Sequence, residues 1–138
     1  MTLRSKLPWI SLAAAAAVLT AAIGLSRPRV QRFGMAIGIR PEKIAEYKRL
    51  HAGSNPGVRG LLTKYHMRSF SIYLKQFDDG KYYLFGYYEY DGGNYQADMA
   101  KLGSEDANMK WLAVTDPMQI PFQGETGWAP MEEVYHKD

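Results

Sequence analysis

The chain has no cysteine. That excludes a disulfide-stapled scaffold, a zinc ribbon, a thiol nucleophile and a cysteine-linked lipid anchor. It has only three histidines, His51, His66 and His136, and no two of them stand at metal-ligand spacing. There is no G-x-G-x-x-G, no P-loop, no G-x-S-x-G and no H-E-x-x-H. Phosphoryl transfer, nicotinamide chemistry and metal-assisted hydrolysis therefore have no motif behind them. The isolated Gly34, Gly38 and Gly86 fall inside predicted strands, where a glycine marks a bulge or a close approach rather than a phosphate cradle.

Acidic residues are missing from one end. The first 32 residues hold Arg4, Lys6, Arg27, Arg29 and Arg32 and no Asp or Glu. The whole chain is at +3, but taking those five cations from 17 leaves 12 against 14 acids, about −2 for the remainder. A nucleic-acid binder needs a basic face to neutralise phosphates. No such excess exists beyond the N-terminal segment, so no nucleic-acid partner is expected.

What is present divides in two. Residues 1–29 have a basic start, an uncharged stretch over 9–25, and then Ser26-Arg27-Pro28-Arg29. This is the three-part form of a secretory signal. The stretch is also at the short limit for a spanning helix. Small residues at Thr20, Ala22 and Gly24 offer cleavage sites. A cleaved signal peptide, an uncleaved membrane anchor through 9–25, and a cytoplasmic chain with a misleading start stay open. Export to the periplasm or tethering to a membrane is the expectation. Residues 30–138 are then one domain, as the length of 138 residues allows.

Periodicity lays out that domain. Residues 30–39 read as a strand. Arg40-Pro41-Glu42 opens a helix whose apolar residues Ile44, Ala45, Tyr47 and Leu50 recur at helical spacing to His51. Asn55-Pro56 opens a second short helix to about Tyr65. Residues 67–76 and 81–90 are strands joined by Asp78-Asp79-Gly80. Helices are expected over 94–102 and 105–115, a Pro- and Gly-rich loop over 116–130, and a closing strand over 132–136. The order β-α-β-β-α-β is the ferredoxin-like, α+β plan, an antiparallel sheet with helices on one face. The other face, rich in aromatics, calls for a partner, and a symmetric homodimer is expected.

Tyr47 and His51 stand four residues apart and share a helix face. Imidazole moves protons near neutral pH, and a phenol beside it can orient a sugar hydroxyl or relay a proton. The same spacing fits a tyrosine packed in the core and a histidine capping its helix. The hairpin strands carry Phe70, Tyr73, Tyr82, Tyr83, Phe85, Tyr87, Tyr88 and Tyr90. Such rings suit a sugar cleft, but core or dimer packing explains most of them.

Five segments in order resemble the L-rhamnose mutarotase family: the first strand with Glu46-Tyr47-Lys48-Arg49-Leu50-His51, Asn55-Pro56, Ser69-Phe70-Ser71-Ile72-Tyr73-Leu74, Tyr83 through Tyr90, and Trp111 through Met118 with Glu132-Glu133-Val134-Tyr135. The resemblance covers about Gln31 to Tyr135. It implies a dimeric α/β-barrel that interconverts the α and β anomers of L-rhamnose or a related deoxyhexose, without metal or cofactor. It implies His51 as the catalytic residue and Tyr47 and Tyr73 as sugar-binding. A tryptophan pair that helps bind sugar in enterobacterial members corresponds to Lys110 and Trp111, so the resemblance implies both as substrate-binding positions and Lys110 leaves the identity of the sugar open. Asp116 is a further candidate, orienting another polar group. A sugar-binding module without turnover, and a barrel of the same fold with other chemistry such as a small monooxygenase, are the alternatives.

Overall fold

The computed structural model describes residues 29–137. The stretch over 9–25, with the leader or anchor expected of it, lies outside the described residues. Among the described residues no helix is long and apolar enough to cross a membrane.

Strand β1 (Gln31–Ile39) is followed by a short 3-10 turn at Pro41–Lys43 and helix α1 (Ile44–Leu50). Proline suits the first turn because its missing N–H would have no partner there. Helix α2 (Arg59–Lys64) leads into β2 (Met67–Gln76) and β3 (Tyr82–Tyr90), the expected hairpin. Helices α3 (Tyr95–Ser104) and α4 (Asp106–Thr115) follow, and the Asn94 side chain caps α3 by accepting from the Ala97 N–H at 3.1 Å. Two short strands, β4 (Gln119–Ile120) and β5 (Ala129–Met131), complete the sheet. The order is β2-β3-β1-β4, with β5 also on β1, and every pairing is antiparallel. Mixed α+β architecture around a curled antiparallel sheet is what the sequence predicts.

Alternation assigns the two faces. On one, Ile37, Ile39 and Leu84 pack with Tyr47, Ile44 and Leu50 of α1. Further along it, Phe33, Met35 and Tyr88 pack with Leu61, Leu62, Met99 and Leu102. On the other, Gly34, Ala36 and Gly38 present almost no side chain, while Tyr73, Phe77, Met131 and Phe122 are exposed.

Two expectations are corrected here. The closing strand is not 132–136. Those residues form no strand, and Val134 and Tyr135 are exposed. The free edge of β1 is taken first, by Gln119–Ile120 beside Gly38–Ile39 and by Ala129–Met131 beside Gly34–Ala36. Pro130 is tolerable on such an edge, where a missing N–H faces outward. The second correction lies in β2. The register slips between Arg68 and Ser71, so Ser69 and Phe70 together oppose one residue of β3. A bulge of this kind reverses which residues face which side. Met67 and Ile72 both meet the helices despite their opposite parity, and Tyr73 is turned to the outer face.

Candidate active site

The helices do not close fully on the sheet. They leave a cleft of about 760 Å³, within the rough 300–1,000 Å³ range of small-molecule sites. Its floor is apolar sheet, with Met35, Ile72 and Leu84. One end is aromatic. Phe70, placed inward by the bulge, stacks on Tyr88 at 5.4 Å, and Phe33 stacks on the other side of Tyr88 at 4.9 Å. Polar groups from α1 and α4 line the cleft as well, with Thr63 of α2 and Arg68 of β2.

His51 ends α1. Its Nδ1 lies 2.8 Å from the main-chain carbonyl oxygen of Tyr47. A carbonyl can only accept, so Nδ1 carries the proton and donates. In the neutral ring Nε2 is then a bare lone pair on the far edge, with no partner among the described residues. The ring is held on both sides. Tyr47 stacks on it at 4.2 Å, and Trp111 meets it edge-on at 5.0 Å. The main chain is held too: the Arg59 guanidinium donates to the carbonyls of His51 (2.9 Å), Ala52 (3.1 Å) and Gly53 (3.4 Å). These carbonyls lie at the cap and just beyond α1, where the negative pole of the helix favours a cation.

Tyr47 is buried, and its hydroxyl accepts from the Gln119 amide at 3.3 Å. Burial pushes its phenol up to about 12; the Gln119 bond pulls the other way and the Asp116 charge adds a smaller upward push. The phenol therefore keeps its proton at neutral pH. The Asp116 carboxyl, also on the cleft, is raised by loss of hydration. From α4 the residues Asn108, Trp111, Leu112 and Thr115 line the cleft, a spacing that puts them on one helix face. Asn108 is buried, and its carboxamide has no side-chain hydrogen bond among the described residues. Trp128 adds a second indole over the sheet.

The two readings of Tyr47 and His51 thus hold together. Tyr47 does pack in the core and His51 does cap its helix, and both line the cleft. Trp111 and Asp116 join them. Tyr73 and Lys110 do not. Tyr73 is 64% exposed on the outer face, for the reason the bulge gives. Lys110 is exposed on α4, off the face that Asn108 and Trp111 share. Arg59, Asn108, Gln119 and Trp128 line the cleft without having been singled out for it in the sequence, and Phe70 stands there as one of several hairpin rings. The Asn108-x-x-Trp111-x-x-x-Thr115 spacing could have marked the first of the α4 residues. Nothing periodic marks Trp128.

An imidazole with one free nitrogen, a phenol that keeps its proton, a carboxyl, an unpartnered amide and several ring faces suit proton transfer on a hydroxyl-rich ligand. Comparison with known proteins agrees with that chemistry. A family model described as L-rhamnose mutarotase matches residues 32–137. Among solved structures, the crystal structure of L-rhamnose mutarotase FA22100 from Formosa agariphila is similar, with a TM-score of 0.59 and 18% identity over 78% of this chain and 99% of that one. At that identity the likeness is one of fold. No curated protein matches the chain.

Proposed function

The chain belongs to the L-rhamnose mutarotase family, and from that premise we propose that His51 and Tyr47 are the pair that moves the protons. The reaction is the interconversion of the α and β anomers of L-rhamnose, an isomerisation of a carbohydrate. The pyranose opens to the aldehyde and recloses on the other face of C1. His51 Nε2 takes the proton of the anomeric hydroxyl. The electron pair left on that oxygen forms the carbonyl as the bond from C1 to the ring oxygen breaks. The Tyr47 phenol, held near 12, gives its proton to the ring oxygen as that atom gains alkoxide character. Rotation about C1–C2 turns the carbonyl over. Reclosure returns one proton to Tyr47 and the other from His51 to the anomeric oxygen, so both groups end as they began. Each of the two transfers contributes on the order of 10²–10⁴-fold.

The observation that supports this reading is the 2.8 Å contact of His51 Nδ1 with the Tyr47 carbonyl, which leaves the lone pair of the neutral ring on Nε2. Asp116 favours the protonated phenol, and Trp111, Phe70 and Trp128 offer flat faces for the C–H side of the sugar. Asn108 and Gln119 offer amides to its hydroxyls. Anomer-exchange NMR with L-rhamnose tests the reading: saturation of one anomeric proton transfers to its partner only if the protein exchanges them. A folded protein that accelerates exchange of no sugar is a binding module instead.

The same premise extends to assembly and location. A homodimer through the outer sheet face is supported by the exposure of Tyr73, Phe77, Phe122 and Met131 around the small residues of β1. An exported or membrane-tethered enzyme is supported by the uncharged stretch 9–25 and its basic flanks. Light scattering tests the first, and cell fractionation with N-terminal sequencing tests the second.

A further inference from the structure

Gly57 lies in the loop between α1 and α2, outside every role described above. Its φ is +51°, a conformation that L side chains adopt at a cost. A Cβ built there would lie 2.9 Å from Cζ3, 3.1 Å from Cη2 and 3.3 Å from Cε3 of Trp111. The backbone of Gly57 is therefore seated on the benzo ring of the indole. The same tryptophan makes a T-shaped contact with His51, ring centroids 5.0 Å apart, and His51 stacks on Tyr47 at 4.2 Å. Gly57, Trp111, His51 and Tyr47 form one continuous column.

A side chain at 57 has to move either the loop or the indole. The loop is tied down. The Gly57 N–H donates to Asn55 Oδ1 at 3.3 Å, the Arg59 N–H to the Pro56 carbonyl at 3.1 Å, and the Arg59 guanidinium to three carbonyls at the end of α1. The indole is the far part of a side chain beside an open cleft and yields more readily. We infer that Gly57 is a positioning residue of the mutarotase site: the missing side chain lets Trp111 stand against His51 and so sets the imidazole toward the sugar.

This inference rests on the proposed role of His51, and the test keeps the two apart. Gly57→Ala adds a Cβ and backbone strain together. Gly57→Asn adds the Cβ with less strain, since Asn tolerates the left-handed region. Gly80→Ala is the control for strain alone: Gly80 has φ +75° and nothing within 4 Å of its Cβ position. In full-length protein, both Gly57 variants should lower kcat for anomer exchange on the order of 10- to 100-fold, the scale of a misplacement near 1 Å, with KM changed less. Gly80→Ala should leave kcat alone. In a Trp111→Phe background, which has no benzo ring to collide with, Gly57→Ala should cost no further activity. The nuclear Overhauser contact between the His51 and Trp111 rings should be present in the wild type and weakened in both Gly57 variants. Unchanged ring contacts, or an equal loss of kcat with and without Trp111, overturn the inference. A wild type that exchanges no sugar overturns the function of the site, and the ring contacts then still decide the role of Gly57.

Discussion

His51 Nδ1 donates to the carbonyl oxygen of Tyr47, one helical turn back, across 2.8 Å. The ring shares that one carbonyl, near the end of a seven-residue helix, with the His51 N–H, and the bond at the same time selects the tautomer of the ring. A residue that ends a helix and a residue that moves a proton are here one residue, because the cap leaves Nε2 free. Arg59 completes the arrangement from outside, holding three carbonyls that would otherwise fray into water.

The phenol of Tyr47 makes a prediction at high pH. Its folded value is raised from 10 to about 12, burial being the main cause. The folded form thus holds the proton more tightly than the unfolded chain does. The stability this contributes is complete below pH 10 and is lost as pH climbs through 12. A two-unit shift corresponds to about 2–3 kcal/mol. Tyr47→Phe should flatten the decline of denaturant-measured stability between pH 10 and 12, and should lower kcat while leaving the fold intact. An unchanged alkaline slope would place the ionising group elsewhere.

Asn108 is buried beside the cleft with no side-chain partner among the described residues. No fully buried side-chain nitrogen or oxygen among the described residues lacks a partner, so the Asn108 amide is open to the cleft. Asn108→Leu, similar in shape and apolar, should keep or raise Tm and raise KM for the sugar severalfold. Calorimetry and exchange kinetics on the same preparation check both halves. A lower Tm with an unchanged KM would make Asn108 structural.

Tyr73 and Lys110 are the sequence-expected sugar contacts that stand away from the cleft. Tyr73→Lys should leave KM unchanged within about twofold, the scale of surface substitutions, yet shift a dimer toward monomer in light scattering. Lys110→Ala should change neither. A rise in KM for Lys110→Ala would bring α4's outer side into the site.

The fold was legible because its elements are locally self-consistent. Alternation along β1 and β3, the Asp-Gly turn and the Pro41 helix start each name one structure. The Tyr47/His51 pair was legible because a four-residue spacing on a helix survives any rotation of that helix. Tyr73 was not, because a one-residue bulge at Ser69 and Phe70 inverts every side chain beyond it. Its sign in the backbone is the positive φ of Ser69, +52°, which no composition rule assigns to serine. The last strands were misplaced for a different reason. Two or three residues paired on an edge carry no period, so Val134 and Tyr135 looked more strand-like than Gln119–Ile120 or Ala129–Met131. Trp128 and Gln119 entered the site only once those pairings were known.

The central claim is that His51 Nε2 carries the proton at the anomeric centre. Anomer-exchange NMR on L-rhamnose with the wild type and His51→Asn measures it directly. Asn can keep a hydrogen bond to the Tyr47 carbonyl while lacking a basic nitrogen. The account predicts catalysed exchange by the wild type and a loss on the order of 10²–10⁴-fold in His51→Asn at unchanged Tm. Near wild-type exchange by His51→Asn would contradict it.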